Sequence, residues 1–478
     1  MAIARIPELL PPATWLAETN VGAGDQVALL TTPSTDEAVI AALRTAMGEV
    51  GADVTTLTVV PDGERNHPLG PIVAAAVERA DVVVNCGATS GFPSELLEFV
   101  RDGGRHLKVY STVAALTGGT AAAHLEPETH ERLRRDPSRE IADLFAERRS
   151  LLLGGYREPD PASGRPRVGL PSAMLFHDLF PFWRAFFDAL DHDLVLSDPT
   201  NPPIVRASAE GAPAETCFPV KLVFGHVANL LEKGIHYLFL PSVINRENSA
   251  PGQGENQYCP YIPAVSHLVR AHVDLDAVGV VPLHVSLELS WVPRRRTQLR
   301  ALAPVLGVSR RRIVEAAAAA EAAQAEFQRA VRLRGARVLA GLDGARRPVV
   351  LVGRAYNTQD QGATLDLPLK LRRLGALPIP MDFLPLDSVD VSSRYPNMYW
   401  RSGQDILAAA SIIRDDPRLQ AVYVTNFSCG PDSFLTGFFR RLMGDKPYLE
   451  LEIDDHTADT GVLTRCEAFL ESLEGLRA

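Results

Sequence analysis

An α/β fold of three serial parallel-sheet units, joined by a linker and a long helix, is what this 478-residue sequence predicts. Three observations carry that expectation. Short apolar, β-branched runs alternate with helix-patterned segments, which is the βαβ rhythm of a parallel sheet. The rhythm pauses once at a Pro- and Gly-punctuated stretch and once at a long Ala-, Glu- and Arg-rich segment. At about 100 to 200 residues per domain, the length suits roughly three domains.

In residues 1–145, Gln26-Val27-Ala28-Leu29-Leu30-Thr31 reads as a buried strand and Ser34-Thr35-Asp36-Glu37 as a capped helix start. A second strand follows over residues 52–60, then a helix at 71–80 and a third strand, Asp81-Val82-Val83-Val84-Asn85-Cys86, with Cys86 a packed thiol at its end. Residues 146–166 are expected to be a linker, because Pro159, Pro161, Gly164 and Pro166 punctuate charge there. Residues 167–308 restart the rhythm with Arg167-Val168-Gly169-Leu170-Pro171, an aromatic helix around Pro181-Phe182-Trp183-Arg184-Ala185-Phe186-Phe187, and the strand Asp193-Leu194-Val195-Leu196-Ser197. Residues 309–345 form the connecting helix, with Ser309 as its N-cap. Residues 346–478 open with Pro348-Val349-Val350-Leu351-Val352-Gly353, continue through a strand at 377–381, and reach a last clear strand at Ala421-Val422-Tyr423-Val424-Thr425.

A formal charge of −10 works against a phosphate-tracking surface, and the runs Arg294-Arg295-Arg296 and Arg310-Arg311-Arg312 are too short to reverse it, so nucleic acid is excluded as a partner. The apolar stretches fall short of a membrane span and Met1-Ala2-Ile3-Ala4-Arg5 lacks the apolar core of a signal peptide; the expected location is cytoplasmic, without membrane contact. Five cysteines in such a chain do not make a disulfide framework. Their use is metal, catalysis or core.

Cys217, in Glu215-Thr216-Cys217-Phe218-Pro219-Val220-Lys221, precedes a helix over residues 222–233, so its sulfur lies near a helix N-terminus, where a thiolate is favoured. Cys259 lies in Gln257-Tyr258-Cys259-Pro260 and Cys429 in Asn426-Phe427-Ser428-Cys429-Gly430-Pro431. All three occupy loops at element ends, which in open parallel sheets is where ligands collect. Their separations, 42 and 170 residues, match no local zinc or ferredoxin spacing. Spacing alone therefore leaves metal ligation and plain packing both open, although a loop beside Pro or Gly is an odd place for a core thiol.

At these loops the sequence resembles the acyl-CoA dehydratase activase-related family, whose relatives include the cluster-bearing subunits of 2-hydroxyacyl-CoA dehydratases and benzoyl-CoA reductases. The resemblance runs from about Arg167 to the C-terminus. It rests on Cys217-Phe218-Pro219-Val220-Lys221-Leu222-Val223-Phe224-Gly225-His226, Tyr258-Cys259-Pro260, Val352-Gly353-Arg354-Ala355-Tyr356-Asn357, Tyr395-Pro396-Asn397-Met398-Tyr399-Trp400-Arg401, Thr425-Asn426-Phe427-Ser428-Cys429-Gly430-Pro431-Asp432-Ser433-Phe434 and Glu452-Ile453-Asp454-Asp455-His456. It implies one 4Fe-4S cluster held by Cys217, Cys259 and Cys429 between two flavodoxin/Rossmann-like domains, with one iron left open as a Lewis acid. It also implies an acyl-CoA substrate and a separate ATP-dependent activator protein supplying electrons, in a homo- or hetero-oligomer. Two departures stand out. Leu240-Pro241-Ser242 replaces a cysteine of some relatives, and residues 1–145 hold no ATPase glycine motif, Thr117-Gly118-Gly119-Thr120 being too short. The N-terminal part is faintly similar to the N-terminal domains of M29-type aminopeptidases and dihydroxypyridine dioxygenases.

Around the implied site, His226 is a proton donor or a satisfied structural histidine. Lys221 offsets thiolate or CoA phosphate charge, or is solvated. Arg354, Tyr356 and Asn357, in a loop directly after a strand, are available to hold an anionic group, Arg354 by forked recognition. Asp432 and Ser433 are expected to cap a helix, with Ser433 also a candidate cofactor contact. Asp454-Asp455-His456 is a metal-like cluster or a charged turn, and Lys446 is expected to be solvated. The leading expectation is a reductive dehydratase or low-potential reductase; a non-catalytic electron-transfer or cluster-carrying subunit and a zinc or structural α/β protein are the alternatives.

Overall fold

Short runs of Val, Ile and Leu become strands where both faces of a parallel sheet are covered, since neither face then tolerates charge. The computed structural model describes residues 24–31, 37–49, 51–58, 80–85, 105–108, 137–213, 216–246, 256–343 and 346–475, and among them such runs form three four-stranded parallel sheets and one parallel pair. The chain divides into two compact units, Met1–Arg135 and Asp136–Ala478.

The first unit holds β1 (Gln26–Thr31), α1 (Glu37–Glu49), β2 (Asp53–Thr58), β3 (Val82–Asn85) and β4 (Arg105–Lys108), in the order β2-β1-β3-β4. Val27 to Leu30 are buried in the middle of this sheet. The body of the helix expected at 71–80, Cys86 and residues 117–120 lie outside the described residues.

The second unit opens with α2 (Leu144–Leu153), which corrects the expected linker over 146–166. Asp143 Oδ1 accepts from Ala146 N at 2.9 Å, Gly154 ends the helix in the left-handed region at φ 54°, and Leu144, Phe145 and Leu152 are buried. The breaking prolines all come after Gly154, so only the chain from about 155 to 166 is irregular.

The first half of this unit follows with β5 (Arg167–Leu170), α3 (Phe176–Asp188), β6 (Asp193–Leu196), α4 (Pro202–Gly211), α5 (Phe218–Glu232), β7 (Tyr237–Phe239), β8 (Ser242–Asn245), α6 (Tyr261–His272), β9 (Val281–Leu283), β10 (Ser286–Glu288) and α7 (Val292–Leu299). Its sheet runs β6-β5-β7-β9, and β8 pairs in parallel with β10. The long α8 (Arg310–Ala340) then starts where Ser309 Oγ accepts from Arg312 N at 3.2 Å. The second half contains β11 (Arg347–Val352), α9 (Ala355–Thr358), α10 (Leu367–Arg373), β12 (Ala376–Pro380), α11 (Arg401–Asp415), β13 (Gln420–Thr425), α12 (Gly430–Met443), β14 (Tyr448–Glu452) and α13 (Asp459–Gly475), with sheet order β12-β11-β13-β14.

These two halves share a core. One buried cluster runs from Leu144 to Met443 and takes side chains from both sheets. The aromatic helix α3 contributes Phe180, Trp183, Phe186 and Phe187, each worth about 1.5–3 kcal/mol of burial by area. In each half the chain leaves the first strand to one side and later crosses to the other, so β5/β7 and β11/β13 are switch points whose carboxyl ends form crevices.

Candidate functional site

Each of the three cysteines stands where a helix begins. Cys217 is the N-cap of α5, with Pro219 in the first turn where its missing N–H costs nothing. Cys429 is the N-cap of α12, beyond β13, after Ser428 at φ 61°. Cys259 directly precedes Pro260, the residue that opens α6. The Cys259 loop is pinned to the start of α11, because Gln257 N donates to Tyr399 O and Arg401 N donates to Gln257 O, both at 2.9 Å. All three thiols are free and half-buried.

One guanidinium touches Cys429 and acts electrostatically on all three thiols. Arg354 follows β11, is buried, and donates through Nη1 to Asp432 Oδ1 at 2.6 Å and to Cys429 Sγ at 3.5 Å. Asp432 is itself fixed by the Tyr423 hydroxyl at 3.0 Å and the Thr425 hydroxyl at 2.6 Å. Burial pushes the Cys217 thiol up to about 11 and the Cys429 thiol up to about 12, with Arg354 acting in the opposite direction on both. Burial also raises Cys259, again against Arg354. Tyr356, buried after Arg354, is raised well above its ordinary value by burial, with Arg354 acting against that rise and the three cysteines adding to it. Among the described residues, no group of three or more His, Cys, Asp or Glu side chains is arranged to hold a metal ion.

The remaining candidates separate. Asn357 is 3% exposed and neither atom of its amide has a hydrogen-bond partner, an orphaned pair next to Tyr356. Lys221, in the first turn of α5, is buried and ion-paired to Asp455 at 3.1 Å. Ser433 is exposed and its hydroxyl donates to Cys429 O at 2.9 Å. His226 is not brought to the thiols by any bond: its ring lies between the Ser197 hydroxyl at 2.8 Å and the Thr200 hydroxyl at 3.0 Å. Burial lowers its pKa to about 4, so it is neutral.

Two expectations are overturned. Asp432 does not cap α12; its carboxylate is the counter-ion of Arg354, and helix α12 has no side-chain cap. Lys446 is not solvated: its Nζ donates to Ile413 O at 2.5 Å and Asp416 O at 2.6 Å, the closing carbonyls of α11. The Asp454 to His456 stretch is a turn, in which Asp454 Oδ1 accepts from His456 N at 2.9 Å and from the Thr457 hydroxyl at 2.8 Å.

Arg354 also lines a cavity of about 220 Å³ at the carboxyl ends of β11 and β12, roofed by Phe327 and Val331 of α8. Arg246 and Arg401 converge there on Asp405, at 3.4 and 2.8 Å. Sequence reasoning assigned these three residues no role; Arg401 stood inside a quoted motif, and that was the available signal.

No curated protein matches the chain. Among solved structures, the 2,5-dihydroxypyridine dioxygenase of Pseudomonas putida KT2440 is 16% identical over 33% of this chain and 44% of its own, under half its length, at a TM-score of 0.19. Zn(II)-bound AdcA of Streptococcus pneumoniae is 14% identical over 65% of this chain and 57% of its own, at 0.20. The C-terminal domain of glucosamine-fructose-6-phosphate aminotransferase of Francisella tularensis is 11% identical over 73% of this chain and 96% of its own, at 0.17. Likeness of this order carries no inference about activity, and the faint N-terminal resemblance gains nothing from it. Residues 167–384, which include Cys217, Cys259 and Arg354, match the family described as the CoA enzyme activase uncharacterised domain, and this supports an acyl-CoA activase-related family.

Proposed function

We propose that this chain is an iron–sulfur protein in which Cys217, Cys259 and Cys429 hold one 4Fe-4S cluster, leaving one iron without a cysteine. It acts as a reductive dehydratase or low-potential reductase on an acyl-CoA-like substrate, with electrons from a separate ATP-dependent activator. The observation that carries the reading is three free, half-buried thiols at three helix starts, one of them bonded by the buried Arg354. The donor set fits the group in kind, three cysteine sulfurs at helix starts; burial raises all three thiols, with Arg354 acting against it, so bound metal is what would hold them as thiolates. When bound, such a cluster supplies single electrons at low potential and a Lewis-acid iron corner.

The protein's own residues have separate tasks. Arg354 donates to the Cys429 sulfur and is held in place by Asp432. The cavity on its other side offers Arg246 and Arg401 to an anionic group, with Phe327 and Val331 as the apolar wall that excludes water. A cavity lined by the arginine that bonds Cys429 favours a substrate-binding protein over a plain electron carrier.

Anaerobic purification tests the reading directly. About four irons and four sulfides per chain are expected, lost in alanine variants of Cys217, Cys259 and Cys429. A colourless, iron-free protein after cluster reconstitution overturns it. Calorimetric titration with CoA thioesters then separates the enzyme, which binds them, from the electron carrier, which does not.

A further inference from the structure

A second constellation lies away from the thiols, and the proposed function does not use it. The Thr200 hydroxyl donates to Asp360 Oδ2 at 2.6 Å, so its oxygen accepts from His226 Nε2 at 3.0 Å. The other ring nitrogen, Nδ1, then accepts from the Ser197 hydroxyl at 2.8 Å, and Ser197 Oγ accepts from Ser172 N at 2.8 Å. The series runs one way and ends on a carboxylate. Asp360 Oδ1 is used too, by Ala363 N at 3.1 Å.

Facing this carboxylate is His177, 7% exposed, with Nε2 at 3.8 Å from Asp360 Oδ2 and no hydrogen-bond partner. That separation is too long for a hydrogen bond, but it turns Nε2 to the carboxylate and leaves Nδ1 as the ring nitrogen available to a ligand. His177 lines a cavity of about 210 Å³ at the carboxyl ends of β5 and β6, closed by residues 359–362. Leu152, Tyr156 and Phe176 form its apolar side. Arg149, half-buried in α2, lines it as well, and its guanidinium pairs with no described residue.

We infer that this cavity is a second ligand site, for a small anion that also carries a hydroxyl group. The anionic end pairs with Arg149, and the hydroxyl donates to His177 Nδ1, while Asp360 and the chain behind it fix the imidazole. The volume restricts the ligand to a few heavy atoms, since drug-sized sites run to about 300 Å³ and more.

Calorimetric titration of the full chain tests this with glycerol 3-phosphate and glycerate, against methyl phosphate and propionate, which lack the alcohol. The hydroxylated anions are expected to bind roughly tenfold more tightly than their counterparts, the worth of one hydrogen bond. His177→Gln keeps a donor toward Asp360 but has no Nδ1, so it removes that preference; Arg149→Gln, at a half-exposed position that does not threaten folding, weakens all four anions. Equal binding of the hydroxylated and plain anions, unchanged binding in Arg149→Gln, or no binding of either hydroxylated anion at millimolar concentration overturns the site. None of these outcomes depends on whether the thiols carry iron.

Discussion

Arg354 and Asp432 form an ion pair at 2.6 Å, with 3% of each side chain exposed. The pair joins the end of β11 to the first turn of α12, and therefore joins the loop motif of one strand to the thiol of another. Burial works against the charge of Arg354; Asp432, with Tyr356 and Cys429, more than offsets it and holds the guanidinium protonated. Removing one partner leaves a buried charge alone. Asp432→Ala is expected to lower the urea-unfolding free energy by about 3–5 kcal/mol, whereas the double change Arg354→Met with Asp432→Leu costs less. If the double variant is the less stable of the two, the pair is not what holds this region.

His226 makes stability depend on pH. Its ordinary value of 6.5 applies in the unfolded chain, and burial lowers it to about 4 in the folded one. The unfolded state therefore binds more protons between these values, so stability is complete above pH 6.5 and is lost as pH falls toward 4. The loss is about 3 kcal/mol over that window. Urea titrations at several pH values should show this slope in the wild type and a flatter one in His226→Gln; equal slopes reject the assignment.

How far the sequence reached can be traced residue by residue. The βαβ rhythm and the Ser309 cap were legible because they are local patterns, as was the place of Cys217 ahead of a helix and of Cys259 and Cys429 in loops at element ends. The shared core from Leu144 to Met443 was not legible, because it depends on tertiary packing. Strands β7, β9 and β14 escaped notice since they are short or alternate with acidic residues. Asp432 has the sequence signature of a first-turn carboxylate, and only the arrival of Arg354 from 78 residues away makes it a counter-ion. The partners of His226 and His177 are hidden for the same reason: Ser197, Thr200 and Asp360 lie on other elements.

Lys446 acts as a helix terminator. Its ammonium meets the negative end of α11 at the Ile413 and Asp416 carbonyls, and burial lowers its pKa. Lys446→Met keeps the stem and removes the charge. It should cost about 1 kcal/mol, from lost bonds to orphan carbonyls and the helix dipole. A variant as stable as the wild type in urea shows that water replaces the ammonium at no loss.

Gly335 reverses the usual helix rule. It lies within α8, where alanine in place of glycine ordinarily stabilises by about 1 kcal/mol. Here an added Cβ meets Phe383 O at 2.1 Å and Phe383 Cα at 2.6 Å, both backbone atoms with little room to move. The close approach lets α8 lie against the chain just past β12, at the roof of the Arg354-lined cavity. Gly335→Ala is therefore expected to destabilise, by about 1–3 kcal/mol as overpacking does, and to shift that roof. Thermal unfolding checks the sign. A raised melting temperature in the variant means that the helix does not approach Phe383 so closely.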